Sequence, residues 1–228
     1  MLAGLATAAA AALVAVVWLL NAGALTGIDG TVHETLRAYG LDHPQWLETW
    51  RVLTYLGSTV AVVLIDAVAI ALCLRTGRPR TAAFIAIVAV GVWALRILLR
   101  DAVGRARPVD RLWPVEEFAF PSGHAANSAT AAAVMIVATW PLLRRLSRAV
   151  LVIAALGLAS AVGFSRLAGG VHWPSDVVAG VLLSLTVVLG VGALFASWPP
   201  TRPGAPPGPG DGPVRLDPTA DPPRPADR

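Results

Sequence analysis

One histidine–aspartate pair near the end of the apolar part of the chain has the spacing of a nucleophile and the group that orients it. His172 and Asp176 lie four residues apart, and Pro174 between them is favoured in the first turn of a helix. At this spacing the carboxylate could reach the imidazole Nδ1–H, fix the ring tautomer and leave Nε2 free to attack an electrophile. The alternative interpretation is a His–Asp contact at a membrane interface without a catalytic role.

A second histidine follows a sequence that is typical of an anion-binding helix start. Residues 121–124 read Pro-Ser-Gly-His immediately before an apolar stretch. Ser122 is a favourable helix cap, and the first backbone N–H groups of a helix bind anions well, with Gly123 allowing close approach. His124 would then project from the first helical turn towards the anion. The alternative is an ordinary capped helix with a solvated histidine.

Three arginines accompany these histidines and could hold a phosphate group. Arg100 and Arg107 lie seven residues apart, which on a helix would place them on one face, and Arg166 precedes His172 by six residues. A guanidinium offers a planar fork of donors that matches phosphate oxygens. All 18 basic residues of the chain are arginine, so the arginine spacing is informative only together with the histidine motifs.

In combination, these residues resemble the signature of the type 2 phosphatidic acid phosphatase family, which belongs to a superfamily with vanadium haloperoxidases and bacterial acid phosphatases. The second and third elements match the family pattern in full. In the first element the family usually has lysine at the position of Arg100, and this lysine-free chain keeps the charge with arginine. The three elements are Arg100-x6-Arg107-Pro108, Pro121-Ser122-Gly123-His124 and Ser165-Arg166-x5-His172-x3-Asp176.

The resemblance implies a phosphoryl transfer with a covalent intermediate. His172 would attack phosphorus, Asp176 would orient it, and His124 would protonate the departing oxygen and later activate water. No metal and no other cofactor is expected, because positive side chains and amides supply the electrostatic stabilisation. One histidine must start neutral and the other charged, which predicts a bell-shaped pH profile. The phosphoryl oxygens are expected to contact Arg100, Arg107, Arg166, Ser122 and Gly123.

The resemblance also implies a lipid phosphate as the partner of this site. Family members act on phosphatidic acid, phosphatidylglycerol phosphate and polyprenyl diphosphates, and we favour a polyprenyl diphosphate such as undecaprenyl diphosphate, or a broad range of lipid phosphates. Two alternatives stay open. A second alcohol could take the phosphate, as in a phosphotransferase, or the chain could transport lipid carriers. No nucleic-acid partner is expected, and the oligomeric state is open.

The elements that must position these residues are membrane-spanning helices. The chain is 56% hydrophobic and 14% charged, with a mean hydropathy of +0.66, whereas soluble domains carry about 25% charged residues. A span needs about 20 mostly apolar residues. Six stretches qualify, namely Leu2–Leu25, Leu53–Leu74, Thr81–Leu99, His124–Trp140, Ala149–Phe164 and Val177–Trp198. We therefore predict an all-α, polytopic membrane helix bundle with six transmembrane helices and the active site at the external ends of the later spans.

The arginine distribution predicts the orientation of this bundle. Arginines cluster in the short connections 75–80 and 144–148 and in the tail 199–228, and cytoplasmic segments collect positive charge. Both termini are then cytoplasmic, and the motif-bearing loops lie on the external face of a cell membrane. Residues 1–198 form the membrane domain, and the Pro- and Gly-rich tail is expected to be disordered. The arginine-rich, lysine-free composition favours a bacterial source with a GC-rich genome.

Polar residues outside the three motifs receive structural interpretations. Asp66 lies within the second predicted span, and Arg96 in the next span is its expected ion-pair partner unless the carboxyl is protonated. Between the first two predicted spans, the spacing of His33, His43, Asp29 and Glu34 matches no metal-ligand pattern. We therefore interpret this segment as a solvated loop.

Overall fold

The computed structural model describes residues 1–197, and this part of the chain contains helices and turns but no strand. The eight α-helices of the described range are α1 (Leu2–Asn21), α2 (Thr26–Asp42), α3 (Pro44–Thr54), α4 (Thr59–Arg75), α5 (Pro79–Val103), α6 (Gly123–Thr139), α7 (Arg145–Ala168) and α8 (Pro174–Ser197). Short 3-10 turns at Tyr55–Gly57 and Trp140–Leu142 follow α3 and α6. The predicted tail and the predicted domain end at residue 198 lie outside the described residues.

Five of these helices are long and apolar enough to cross a membrane, and a bent pair supplies a sixth crossing if it is counted as one span. The five are α1, α5, α6, α7 and α8, and the pair comprises Pro44–Gly57 with Thr59–Arg75, bent by 43°. Large apolar side chains such as Val63, Trp93 and Ile153 are exposed on the outer faces, where they suit contact with lipid. The predicted all-α membrane bundle is therefore confirmed.

The second predicted span, Leu53–Leu74, is not one continuous helix. The chain breaks at Ser58, whose backbone is extended (φ −63°, ψ 151°) and whose hydroxyl accepts a hydrogen bond from the Ala61 N–H at 3.2 Å. The preceding residue, Gly57, lies so close to Val162 of α7 that a Cβ atom would overlap the valine side chain. Crowding at Gly57 and the cap at Ser58 explain the break, which leaves α4 with 17 residues.

Helix α6 lies at the centre of the bundle and contacts α4, α5, α7 and α8. Its buried face consists mainly of small residues, which allow close helix approach, and Thr130 shares a hydrogen bond with Ser184 of α8 at 2.9 Å. A Cβ atom on Gly180 of α8 would stand only 2.5 Å from the Ser122 carbonyl oxygen. This close packing places the start of α6 beside the first two turns of α8.

The connections between spans gather at two opposite ends of the bundle. The turns after α4 and α6 share one end, where Arg78 donates a hydrogen bond to the Ala138 carbonyl at 2.7 Å. The end of α5, the loop 104–122, the start of α6, the end of α7 and the start of α8 meet at the other end. All three sequence motifs belong to this second end, which we call the motif end.

The solvated loop that the sequence predicts around His33, His43, Asp29 and Glu34 is wrong, because residues 26–54 form α2 and α3. Two of its polar residues are buried, with Asp29 2% exposed and His33 6% exposed. His33 Nε2 lies 2.8 Å from an Asp110 carboxylate oxygen in the loop between α5 and α6. Polar partners from distant segments therefore hold α2 at the motif end, and the local pattern of α2 does not reveal them.

Candidate active site

His172 lies in the turn between α7 and α8 and is 3% exposed. Its Nε2 atom is 3.0 Å from Arg107 Nη1. A guanidinium can only donate, so Nε2 accepts this hydrogen bond and the proton of the neutral ring is on Nδ1. Nδ1 faces Asp176, although its distance of 3.5 Å from Oδ2 is longer than a hydrogen bond. The ring is thus oriented with Nε2 as its basic nitrogen.

Burial controls the charge of this imidazole. Removal from water lowers the pKa of His172 to about 4; Asp176 opposes this shift, and the positive charges of Arg107 and Arg166 add to it. The ring is therefore uncharged at neutral pH, which is the form that a nucleophile needs.

Asp176 is completely buried in the first turn of α8 and has several hydrogen-bond donors. Its Oδ1 accepts from Arg105 Nη1 at 2.6 Å, and its Oδ2 accepts from the Trp173 N–H at 2.9 Å. Arg105 Nη2 donates to Asp29 of α2 at 2.6 Å. Asp29 also accepts from the N–H and hydroxyl of Ser175, at 3.0 and 2.5 Å. The guanidinium of Arg105 thus links α2 to the start of α8, and we call this contact the Arg105–Asp29 bridge.

Arg105 and Asp29 are site residues that sequence reasoning missed. The excess of arginine in the loop between α5 and α6 was a usable signal for Arg105, which lies two residues before Arg107. Asp29 carries no such signal, because it precedes Ser175 by 146 residues and stands in a segment with the composition of a polar loop.

Arg107 is held by backbone carbonyls at the motif end. Nε donates to the Glu117 carbonyl at 2.5 Å, Nη2 to Phe118 at 3.0 Å and Nη1 to Val171 at 2.7 Å. Burial lowers the pKa of Arg107 below that of an exposed arginine. No carboxylate of the described residues pairs with this guanidinium, so its charge is available to a bound anion.

Arg166 provides a second buried cation, in the last turn of α7. It is 5% exposed and donates to the Thr54 hydroxyl at 2.8 Å. The Trp113 ring lies 5.8 Å from its guanidinium carbon, within cation–π range, and Gly169 leaves the room that this ring occupies. The Arg166 Nε atom is buried and has no hydrogen-bond partner among residues 1–197.

Ser122, Gly123 and His124 form the start of α6, as predicted. Ser122 is the N-cap, and its own N–H donates to the Asp176 carbonyl at 2.9 Å, which joins the second motif to the third. His124 is half-buried and lies within electrostatic range of Arg166, His172 and the other site arginines. The two histidines, the capped helix start and two arginines therefore share one site.

Arg100 occupies a different position from the other predicted residues. Helix α5 ends at Val103, so Arg100 and Arg107 do not share one helix face. The Arg100 guanidinium pairs with Asp101 at 2.9 Å and with Glu117 at 3.2 Å, and it has no hydrogen bond to either histidine. The structure thus brings the predicted site residues together except for Arg100, which lies at the rim.

The predicted ion pair between Asp66 and Arg96 is wrong. Asp66 lines a cavity of about 280 Å³ between α4, α5 and α6, and its Oδ1 is buried without a hydrogen-bond partner in the described range. Arg96 turns instead towards the start of α6, where its guanidinium lies against Gly123.

The fold and the site together define a multi-span helical membrane protein with a cluster of arginines and histidines at one end. Residues 99–200, slightly less than half of the chain, match the family model described as the PAP2 superfamily. The family resemblance predicted from the three motifs is thereby confirmed.

Similar proteins come from bacteria. Over 71 residues the chain is 41% identical to phosphatidylglycerophosphatase B from Escherichia coli K12 and from Shigella flexneri. This match covers 31% of the chain and 26% of each relative, so it spans about a quarter of their length. A transmembrane PAP2 type phosphatidylglycerolphosphate phosphatase from Bacillus subtilis has the same fold, with a TM-score of 0.74 over 87% of this chain and 99% of that chain. The two sequences are 21% identical.

Proposed function

We propose that the protein is an integral membrane lipid phosphatase that works without a metal ion through a phosphohistidine intermediate. The observation that carries this proposal is the buried, neutral His172, with Nε2 facing Arg107 and Nδ1 facing Asp176. A nucleophilic nitrogen lies beside a cation that has no acidic partner, which suits attack on an anionic phosphate.

In the first step, the Nε2 lone pair of His172 attacks phosphorus and the bond from phosphorus to the lipid oxygen breaks. His124 donates its proton to that oxygen. Arg107 now donates to Nε2 at 3.0 Å, so this N–H must turn to a phosphoryl oxygen when substrate binds. Arg166 and the N–H of Gly123 bind the other phosphoryl oxygens, where charge increases in the transition state.

In the second step, water attacks the phosphohistidine, the phosphorus–nitrogen bond breaks and free phosphate leaves. His124, neutral after the first step, accepts the proton from water. Asp176 stabilises the positive charge that the His172 ring holds while it is phosphorylated. We expect the 3.5 Å separation of Nδ1 and Oδ2 to shorten at that stage, because charge-assisted hydrogen bonds are shorter than neutral ones.

The proposed substrate is a phosphomonoester or diphosphate of a lipid, such as a polyprenyl diphosphate, phosphatidic acid or phosphatidylglycerol phosphate. Support comes from an apolar cavity of about 310 Å³ beside α6. Its lining includes Leu56, Ile65, Met135, Leu158 and Val162. Val162 contacts Gly57, which adjoins His124, so a hydrocarbon chain in this cavity would lead to the site. The names of the bacterial relatives support the same substrate class.

The proposed location is the cell membrane, with both termini cytoplasmic and the motif end on the external face. Support comes from the arginine-rich turns at the opposite end of the bundle and from the tendency of such turns to stay in the cytoplasm.

The test is phosphate release by the detergent-purified protein, in EDTA, from a panel of lipid phosphates. We expect release by the wild type and none by His172→Ala, because the variant lacks the proposed nucleophile Nε2. His43→Ala is the matched control, since His43 is exposed and contacts Tyr39 rather than the site. A requirement for Mg²⁺, or full activity of His172→Ala, would refute the mechanism. Phosphate transfer to an added alcohol would identify a phosphotransferase, and lipid translocation without release would identify a transporter.

A further inference from the structure

The arginines of the motif end fall into two groups. Arg100 and Arg105 are paired with carboxylates, at distances between 2.6 and 3.2 Å. Arg107, Arg166, Arg96 and Arg111 form no ion pair with any carboxylate of residues 1–197. Arg111 lies in the loop and donates a hydrogen bond to the Pro108 carbonyl at 3.3 Å. Positive charges that are taken out of water without a partner are unfavourable, so four guanidinium groups without an ion pair at the motif end indicate a ligand with several negative charges.

Arg96 belongs to no motif and, unlike Arg111, lies on a helix that is long enough to span the membrane. It lies on α5 four residues before Arg100, about 6 Å further from the loop and towards the interior of the membrane. Its Nε atom is buried and has no hydrogen-bond partner in the described part of the chain. The closest acidic influence comes from Glu117, which is exposed and already pairs with Arg100.

Gly123 permits the position that Arg96 adopts. A Cβ atom on Gly123 would stand 2.6 Å from Arg96 Nη1 and 3.3 Å from its guanidinium carbon, so a larger residue would displace this side chain. The guanidinium therefore lies beside the start of α6, next to the residue that is proposed to protonate the leaving oxygen. Arg96 also acts electrostatically on His124, which places its charge close to the leaving group.

The charge of the substrate determines how many cations are needed. A phosphomonoester carries a charge of about −1.5 to −2 at pH 7, which Arg107 and Arg166 can balance. Phosphatidic acid has no further phosphate, and its leaving group is an uncharged alcohol. A diphosphate, or a lipid with a second phosphate beyond a glycerol, has another negative charge between the reacting phosphate and the hydrocarbon. That is the side on which Arg96 lies.

We propose that Arg96 binds a second phosphate of the substrate and thereby favours lipids with two phosphates over lipids with one. The inference rests on the proposed function, and it adds a specificity-determining residue to that function. Directly linked and glycerol-spaced phosphates share the chemistry that a guanidinium recognises, and the experiment separates them.

The experiment compares kcat/KM for two pairs of substrates with matched tails, using the full-length protein in detergent. One pair is farnesyl diphosphate and farnesyl monophosphate, and the other is phosphatidylglycerol phosphate and phosphatidic acid. We expect Arg96→Gln to reduce the ratio of kcat/KM for the two-phosphate lipid to that for the one-phosphate lipid about 10- to 100-fold in at least one pair, the effect of losing one charged hydrogen bond. Arg96→Lys should restore part of the ratio, because it keeps the charge.

Arg51→Gln is the matched control, because Arg51 is exposed on α3 and, among residues 1–197, forms an ion pair only with Glu48. Its ratios should equal those of the wild type. The pair whose ratio falls identifies the spacing of the two phosphates. Unchanged ratios for Arg96→Gln in both pairs would overturn the inference while the proposed function stands, and equal ratios in Arg96→Lys and Arg96→Gln would overturn the role of charge. Absence of phosphate release from every lipid by the wild type would refute the proposed function and this inference together.

Discussion

The two ring nitrogens of His172 have different partners, and this difference decides the form of the residue. Nε2 accepts from Arg107 and is the basic nitrogen, while Nδ1 faces the buried carboxylate of Asp176. Burial keeps the ring neutral, since it lowers the pKa to about 4. The site therefore maintains its proposed nucleophile in the reactive form well below the pH at which an exposed histidine becomes charged, about 6.5.

The pH dependence of kcat/KM tests this ionisation, because that parameter reports groups of the free protein. A lowered pKa means that the neutral form survives as the pH falls, so His172 should cause no loss of rate between pH 7 and about pH 5. The acid limb of the predicted bell-shaped profile should lie near the value of about 4. The pH profiles of two substrates whose phosphates have different pKa values show whether a limb comes from the enzyme or from the substrate. A limb due to His172 stays at the same pH for both substrates. A fixed limb near pH 6.5 would contradict the argument.

At the scale of elements, α2 is the helix that completes the site. It reaches the motif end through Asp29, which binds Arg105 and Ser175, and through His33 and Arg37, which both contact Asp110. The Arg105–Asp29 bridge fixes the carboxylate of Asp176 at the start of α8. A helix without any catalytic candidate of its own thereby positions Asp176, the carboxylate that is proposed to orient His172.

Removal of the Arg105–Asp29 bridge should reduce the rate more than it reduces substrate binding. We expect Arg105→Gln and Asp29→Asn to lower kcat about 10- to 100-fold with little change in KM, because they leave a charged partner buried without its counterpart, at a cost of about 1–3 kcal/mol or more. Arg105→Lys should recover part of kcat. Arg37→Gln is the control, since it weakens another contact of α2 with the motif end and leaves Asp176 untouched. Equal losses in Arg37→Gln would show that the bridge only holds α2 in place.

At the scale of the whole molecule, arginines lie at both ends of the bundle, whereas the three motifs lie at one end. The turns after α4 and α6 hold arginines at one end, and the three motifs lie at the other. Some of these arginines also have local partners, since Arg78 binds the carbonyl of Ala138 and Arg148 that of Trp140. Positive side chains near the C-terminal end of a helix stabilise that helix on either side of a membrane. The orientation of the bundle is therefore best tested by a direct measurement.

Cysteine labelling in intact bacterial cells can measure this orientation. The chain has one cysteine, the buried Cys73, which Cys73→Ala removes as a background. We expect a membrane-impermeant thiol reagent to label Val109→Cys, which is at a 94% exposed position of the motif-end loop. Thr76→Cys, in the exposed turn after α4, should react only after the cells are permeabilised. The reverse pattern would place the site on the cytoplasmic face.

The sequence by itself determined the helices and the local geometry of the motifs. Long apolar stretches must form helices in a bilayer, because a backbone there satisfies its hydrogen bonds internally. Five of the six predicted spans are continuous helices, whose ends lie a few residues before or after the predicted ends. The starts of α6 and α8 follow from Ser122 and Pro174, which act within their own helical turns. The spacing of His172 and Asp176 likewise works over a single turn.

Only the tertiary structure decided which distant side chains meet. Asp29 joins Arg105 and Ser175, and Arg96 turns to Gly123 rather than to Asp66. The break at Ser58 depends on the approach of α7 to the preceding glycine. The physical reason is that hydrophobic length and caps act within a helix, whereas these contacts depend on how helices far apart in the chain pack, rotate and approach one another.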